Sequence, residues 1–319
     1  MKSMMRVKEK LHHAEGIEMN NPRRMISDNH RKGLSKICIW NGNNISATFM
    51  AFNASMYTFV ARTVESSAIR KSMMIMRSDY NNLQVMPVLG TKITRTKTGL
   101  FSKEMRSYPH RENFLLDYHF ALAYSLILNQ HSTNQTDFVF PEFEAQINYD
   151  MSEAKRGSQT AQLYRRCADR LIQVSKEYGD AVCTDDDEFN EEDLHCLVSL
   201  PPVVRGHANK KSSVNKLADV LDIQVFAFRC GWQVRNIHSA FDYIFSTTKK
   251  DAKCGKVLAG WLPNSAGEYL GGYPPNVEMI RHKKSDFIKF AEKLFFGDEN
   301  TAKDVQVFLV CSLVFTMRT

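Results

Sequence analysis

The sequence holds no CxxC pair, and its seven cysteines (Cys38, Cys167, Cys183, Cys196, Cys230, Cys254 and Cys311) are scattered and odd in number. That pattern speaks against a disulfide framework and against zinc, and fits a reduced intracellular protein. The opening MKSMMRVKEKLHHAEG is positively charged but lacks an apolar h-region, so no secretory signal is expected. The most apolar run, Phe308 to Phe315, is far below the roughly 20 residues a bilayer helix needs. Internal repeats and low-complexity tracts are lacking too. Neither charge sign dominates strongly: the net charge of +7 is moderately basic, and many proteins reach it without touching nucleic acid.

What is present is enough apolar material, 43% of 319 residues, for one large domain or two small ones. Residues 1–32 are polar, Met-rich and basic, and read as a flexible segment or a basic arm for phosphates. Helical signals fill 33–60 with a break at Asn43-Asn44; Ile45, Phe49, Phe52, Met56, Phe59 and Val60 make a broad apolar face. Ala61-Arg62-Thr63-Val64-Glu65 is expected to close that helix, with Arg62 as a dipole partner or a functional cation. Residues 72–98 change period and predict a small antiparallel sheet ending in a basic hairpin that carries Lys97. Pro87 should put its strand at an edge or beside a bulge. Residues 108–128 predict an apolar helix after Pro109, and 158–178 an amphipathic one with Tyr164, Cys167, Ala168, Leu171 and Ile172 inward. The acidic run 185–193 reads as a solvated loop without EF-hand order. Residues 259–275 read as a loop, 285–296 as a short amphipathic helix, and Val305 to Thr316 as an apolar element that docks on this chain or on a neighbour.

The richest stretch runs from Arg205 to Lys256. His207 and Lys210 are three apart and share one helical face. Val214, Leu217, Ala218 and Leu221 would bury the opposite side. Gly231-Trp232 and Tyr243 follow. A basic pair, an indole donor and a phenol suit attack of a tyrosine on a phosphodiester. Taken singly, each of these side chains is more often a core or surface residue than a catalytic one.

In order and spacing these segments resemble the tyrosine recombinases, the phage-integrase-like catalytic domain, in their crypton-like transposon branch. Ala61-Arg62-Thr63-Val64-Glu65 matches the first arginine motif, Lys97 the hairpin lysine, and His207-Ala208-Asn209-Lys210 the His-x-x-Arg helix start. Gly231-Trp232 matches the Gly-His or Gly-Trp pair, and Tyr243-Ile244 with Asp251, Gly255 and Lys256 the nucleophile segment. The resemblance covers roughly residues 23 to 275. It departs at Lys210, where an arginine is expected, since a lysine offers a point charge rather than a planar fork. Counting forward from Trp232 would put Phe241 at the nucleophile; counting back from Asp251 and Gly255 selects Tyr243. The stretch before Arg62 is short for the family's DNA-clamping N-terminal domain, as in a truncated or decayed element.

The resemblance implies a mainly α fold with a small antiparallel β-sheet, of the DNA breaking-rejoining catalytic type. Residues 1–32 would be the N-terminal segment, 33–280 the catalytic domain, and 281–319 a C-terminal helix and apolar tail. It implies strand cleavage through a 3′-phosphotyrosyl intermediate on double-stranded DNA, for recombination and integration of a transposable element. Tyr243 would be the nucleophile, and Arg62, Lys210 and Trp232 the phosphate donors. Lys97 would serve as general acid and His207 as base. No cofactor, metal or membrane is implied; a homo-oligomer on DNA and a nuclear or otherwise intracellular setting are. The alternatives are a catalytically decayed DNA-binding protein and an unrelated helical interaction protein.

Overall fold

The computed structural model describes residues 25–79, 86–96, 99–130, 135–144, 153–182, 204–230, 248–264 and 284–316. Its centre is an apolar helix. α1 (Asp28–Asn41) is capped by Ser27 and ends on Gly42 in the left-handed region, φ 56°. α2 (Asn44–Thr58), capped by Asn43, is buried all round from Ser46 to Thr58, as befits a helix that other elements cover on every side. Its Phe49 stacks on Tyr164 and its Phe52 on Phe143, with ring centroids 5.1 and 4.1 Å apart.

The helix does not run on to Arg62. It stops at Thr58, and Val60 takes a left-handed φ of 52°. A β-branched residue is rarely found there, at a cost on the order of 1–3 kcal/mol. The turn redirects the chain, so that Arg62 is the N-cap of a separate short helix, α3 (Thr63–Ser67), and not the end of α2. The dipole-partner reading of Arg62 falls with that.

Three antiparallel strands follow in the order β1 (Met74–Asp79), β2 (Met86–Thr96), β3 (Gly99–Ser107). The sheet thus extends past residue 98. Pro87 lies in the central strand, not at an edge: it pairs with Ser78 of β1, while the pairing with β3 begins only at Leu89. Its missing N–H is therefore tolerated beyond the end of β3. The bulge is elsewhere, between Ile93 and Arg95.

The apolar helix expected after Pro109 begins later. α4 (Tyr118–Leu128) starts at Asp117, whose carboxylate accepts from the backbone N–H of His119 and Phe120. A short 3-10 turn, Phe114–Leu116, precedes it. Then come α5 (Pro141–Glu144), the amphipathic α6 (Glu153–Val182), α7 (Gly206–Ala218), α8 (Ile223–Phe226) and α9 (Thr248–Leu258). α6 buries Tyr164, Ala168 and Leu171 as its periodicity predicts. α7 buries Leu217, but Ala218 is exposed. α10 (Lys284–Leu294) and α11 (Lys303–Thr316) complete the described chain. α11 is helical and docks on this chain's own α4, with Val305, Phe308, Leu309 and Val310 in the main core. The N-terminal arm read from the sequence overlaps the folded body: α1 starts at Asp28, and Arg31 is buried with its guanidinium 3.4 Å above the Tyr57 ring. The acidic run 185–193 lies outside the described residues. No helix among the described residues is long and apolar enough to cross a membrane.

Candidate active site

Two helix starts meet beside Arg62. The first is α3. Glu65 reaches back from its first turn, its Oε2 accepting the Arg62 backbone N–H at 2.7 Å and its Oε1 an Arg62 Nη1 proton at 3.1 Å. Glu65 is nearly buried, and the Arg62 side chain is about a quarter exposed. One edge of the guanidinium is therefore fixed, and the rest of the fork remains available to an oxyanion.

The second start is α7, where His207 and Lys210 occupy the first turn. Gly206 lets it approach: a Cβ there would lie 2.6 Å from Thr63 Cγ2 and 3.2 Å from Met56 Sδ. A side chain would hold α7 away from the residue next to Arg62. The helix is then locked from its inner face. Ser213 Oγ donates to the Tyr57 carbonyl at 2.8 Å. Asn209 Nδ2 donates to Asn53 Oδ1 at 2.6 Å, and the same oxygen accepts from Tyr164 O–H at 2.7 Å. This buried network joins α2, α6 and α7.

Lys210 and Arg62 lie within each other's electrostatic reach. Burial pushes the Lys210 ammonium below the ordinary lysine value; the Glu65 carboxylate opposes this, and the Arg62 charge adds to it. Lys210 Nζ also donates to the Cys230 carbonyl at 2.9 Å, tying α7 to the turn after α8. His207 is exposed on the same turn. The structure thus brings Arg62, His207 and Lys210 together. Lys97, Trp232 and Tyr243, with the competing Phe241, lie outside the described residues. Thr96 and Gly99, on either side of Lys97 and Thr98, pair with each other.

Some supporting residues carry no signal in the sequence. Arg229, 1% exposed, donates from Nη1 to Asp251 Oδ1 at 2.6 Å and from Nη2 to the Thr58 and Arg106 carbonyls at 2.7 and 3.0 Å. Asp251 Oδ2 accepts the Arg106 N–H at 2.6 Å. One ion pair therefore binds the end of α2, β3 and α9 below the candidate site. Gly255 packs α9 against the Arg106 carbonyl and the Tyr108 ring, and Lys256 lies over that ring at 5.5 Å. Asp251, Gly255 and Lys256, which match the nucleophile segment in sequence, tether and pack α9 in the fold. Glu65 belongs to the arginine motif, yet its hold on Arg62 shows only in the fold.

The fold is similar to that of a solved structure titled "FLP Recombinase-Holliday Junction Complex I". The TM-score is 0.51 and the sequence identity 9%, over 89% of this chain and 63% of that one. At that identity the likeness shows the fold: mostly helical, with a small three-stranded antiparallel sheet. No family model and no curated protein matches the sequence.

Proposed function

We propose that this chain is a DNA strand-cleaving and rejoining recombinase of the tyrosine type, from a mobile element of the crypton-like branch. The observation that carries the reading is the meeting of α3 and α7, which sets Arg62 beside the His207–Lys210 turn on a fold shared with a recombinase structure bound to a Holliday junction. Two cations from separate helices, with one carboxylate orienting the first, suit a phosphoryl group that gains charge during transesterification.

In this reading residues 33–280 form the catalytic domain. The phenol of Tyr243 attacks phosphorus, the 5′-oxygen leaves, and a 3′-phosphotyrosyl link retains the bond energy for rejoining. Arg62 binds two phosphate oxygens, while Lys210 and the Trp232 indole N–H supply further donors. His207 takes the phenol proton, and Lys97 protonates the leaving oxygen. The substrate is double-stranded DNA, the working form a homo-oligomer on DNA, and the setting nuclear or otherwise intracellular.

One observation favours a second reading, a catalytically decayed DNA-binding protein. Lys210 stands where the motif has arginine, and one of its three donors is already given to Cys230. A suicide-substrate assay separates the two. Nicked DNA from the element's ends is mixed with the protein, and covalent adducts are sought on a denaturing gel. An adduct lost in Tyr243→Phe supports the recombinase. Salt-sensitive DNA binding without an adduct supports the decayed protein. Absence of both overturns the DNA reading.

A further inference from the structure

A cleft of about 380 Å³ opens between the first turns of α1, the last turns of α7, residues 110–116 and the turn at Gly260. None of its lining residues belongs to the candidate active site. At its wall stands His110, only 6% exposed. The His110 Nδ1 accepts the backbone N–H of Asn113 at 3.1 Å and of Glu112 at 3.3 Å. The ring proton is therefore on Nε2. That buried Nε2–H has no acceptor among the described residues. Gly260 packs beside that edge: a Cβ there would stand 3.5 Å from both Nε2 and Cε1, in ordinary van der Waals contact. A buried donor without an acceptor is destabilising unless something completes it.

The surrounding charge names the sign of that partner. The Asp28 carboxylate is shared by two cations, Arg31 at 3.0 Å and Lys216 at 3.1 Å. Lys32 adds a third positive charge at the same wall. Glu112 sits at the rim, largely exposed and 3.7 Å from Arg111. The excess is positive. Burial, and then the charges of Arg31 and Lys216, opposed by Asp28 and aided by Lys32, push His110 down to about 3, so Nε2–H stays a neutral donor at physiological pH. The walls are already built: Trp261 Nε1 donates to the Pro109 carbonyl at 2.8 Å, Arg111 N–H to the Ala259 carbonyl at 2.8 Å, and His110 N–H to Asp117 Oδ2 at 2.9 Å.

We propose that this cleft is a phosphate-binding site, with one phosphate oxygen on His110 Nε2–H and the others facing the ammonium groups of Lys32 and Lys216. Donors from three separate elements suit a tetrahedral oxyanion. The volume admits a phosphate together with the group that carries it. The site is independent of the recombinase reading, because its phosphate can be free or part of a nucleic-acid backbone.

The test uses the full chain with inorganic phosphate as probe and sodium chloride at matched ionic strength as control. Thermal unfolding and the ¹⁵N resonances of ring-labelled histidine are followed together. Phosphate is expected to raise Tm in proportion to the logarithm of its concentration, as a ligand of the native state does, and to shift the His110 Nε2 signal saturably. Lys32→Gln, at a partly buried position, is expected to weaken the phosphate response by about tenfold, whereas Lys303→Gln, exposed on α11, leaves it unchanged. Duplex DNA that moves the same His110 signal and is displaced by phosphate assigns the phosphate to a DNA backbone. DNA that leaves the signal in place assigns it to a small phosphorylated molecule. The proposal is overturned if phosphate stabilises no more than chloride, or equally well in Lys32→Gln, or if the His110 signal does not move.

Discussion

Thr63 leaves no room for a side chain at Gly206: a Cβ there would lie 2.6 Å from Thr63 Cγ2. The residue after Arg62 and the residue before His207 are thus in direct contact, and the spacing of the two candidate catalytic helices is set at that point. Gly206→Ala is expected to force them apart. Overpacking of this kind costs about 1–3 kcal/mol, readable as a lower urea midpoint. Adduct formation should fall further than the folded fraction does. Thr63→Ser removes the obstructing methyl, so adding it to Gly206→Ala should recover both readings. If the double variant is no better than the single one, the contact does not set the spacing.

Glu65 offers a second handle on Arg62. Glu65→Gln keeps the shape but removes the charge that faces the guanidinium and helps keep Lys210 protonated. Losing this nearly buried charge-assisted pair is expected to cost about 1–3 kcal/mol. The variant gains one net positive charge, so non-specific DNA binding should hold or tighten while adduct formation falls. Parallel loss of binding and adduct would assign Glu65 to folding alone. Gel-shift and adduct assays on the same preparation decide it.

Local signals explain how much of this was legible beforehand. α6 and, through Val214 and Leu217, the body of α7 follow from apolar spacing, and Asp117 ahead of the apolar α4 is an N-cap that marks its start. The opposition of Arg62 to His207 and Lys210 needed the fold. So did the redirection at Val60, since a left-handed valine is imposed by packing and has no signature in composition. Arg229 with Asp251, and Lys71 with Asp298, are joined across 22 and 227 residues, where no periodicity operates. Pro87 misled because a strand can be central and still lack a neighbour at one end.

The Lys71–Asp298 pair should behave as a buried tether. Both side chains are almost fully excluded from solvent, 0% and 2% exposed, with Nζ to Oδ1 at 2.9 Å. Asp298 Oδ2 accepts from Thr301 Oγ1 at 2.7 Å, which anchors the start of α11 beside the sheet. Either Lys71→Met or Asp298→Asn is expected to cost about 3–5 kcal/mol, because each removes the opposite charge from beside a buried one. The double variant should cost clearly less than the two together. Strict additivity in a double-mutant cycle by urea unfolding would show that the pair is not coupled.

Acid should loosen the fold before any carboxylate titrates, and His119 is the reason. It is fully buried, with Nε2 2.9 Å from Ser107 Oγ and Nδ1 3.6 Å from Asp117 Oδ1. Ser107 Oγ donates to the Leu89 carbonyl at 3.1 Å, so it accepts from Nε2–H and the neutral tautomer fits. Burial pushes His119 from 6.5 down to about 4, against the opposing pull of Asp117. The folded pKa is below the unfolded one, so the unfolded chain binds the proton first. The stability is fully present above pH 6.5 and drains as pH falls towards 4, at up to about 1.4 kcal/mol per pH unit for one group. His110 drains in the same direction. Between pH 6.5 and 5 the ordinary carboxylates are still ionised in both states, so this window reports the buried histidines. His119→Gln keeps a donor for Ser107 and cannot protonate. It should be less stable at pH 7.5 yet lose less on acidification, the two unfolding curves converging towards pH 5. Curves that stay parallel would mean that His119 is not the group that titrates.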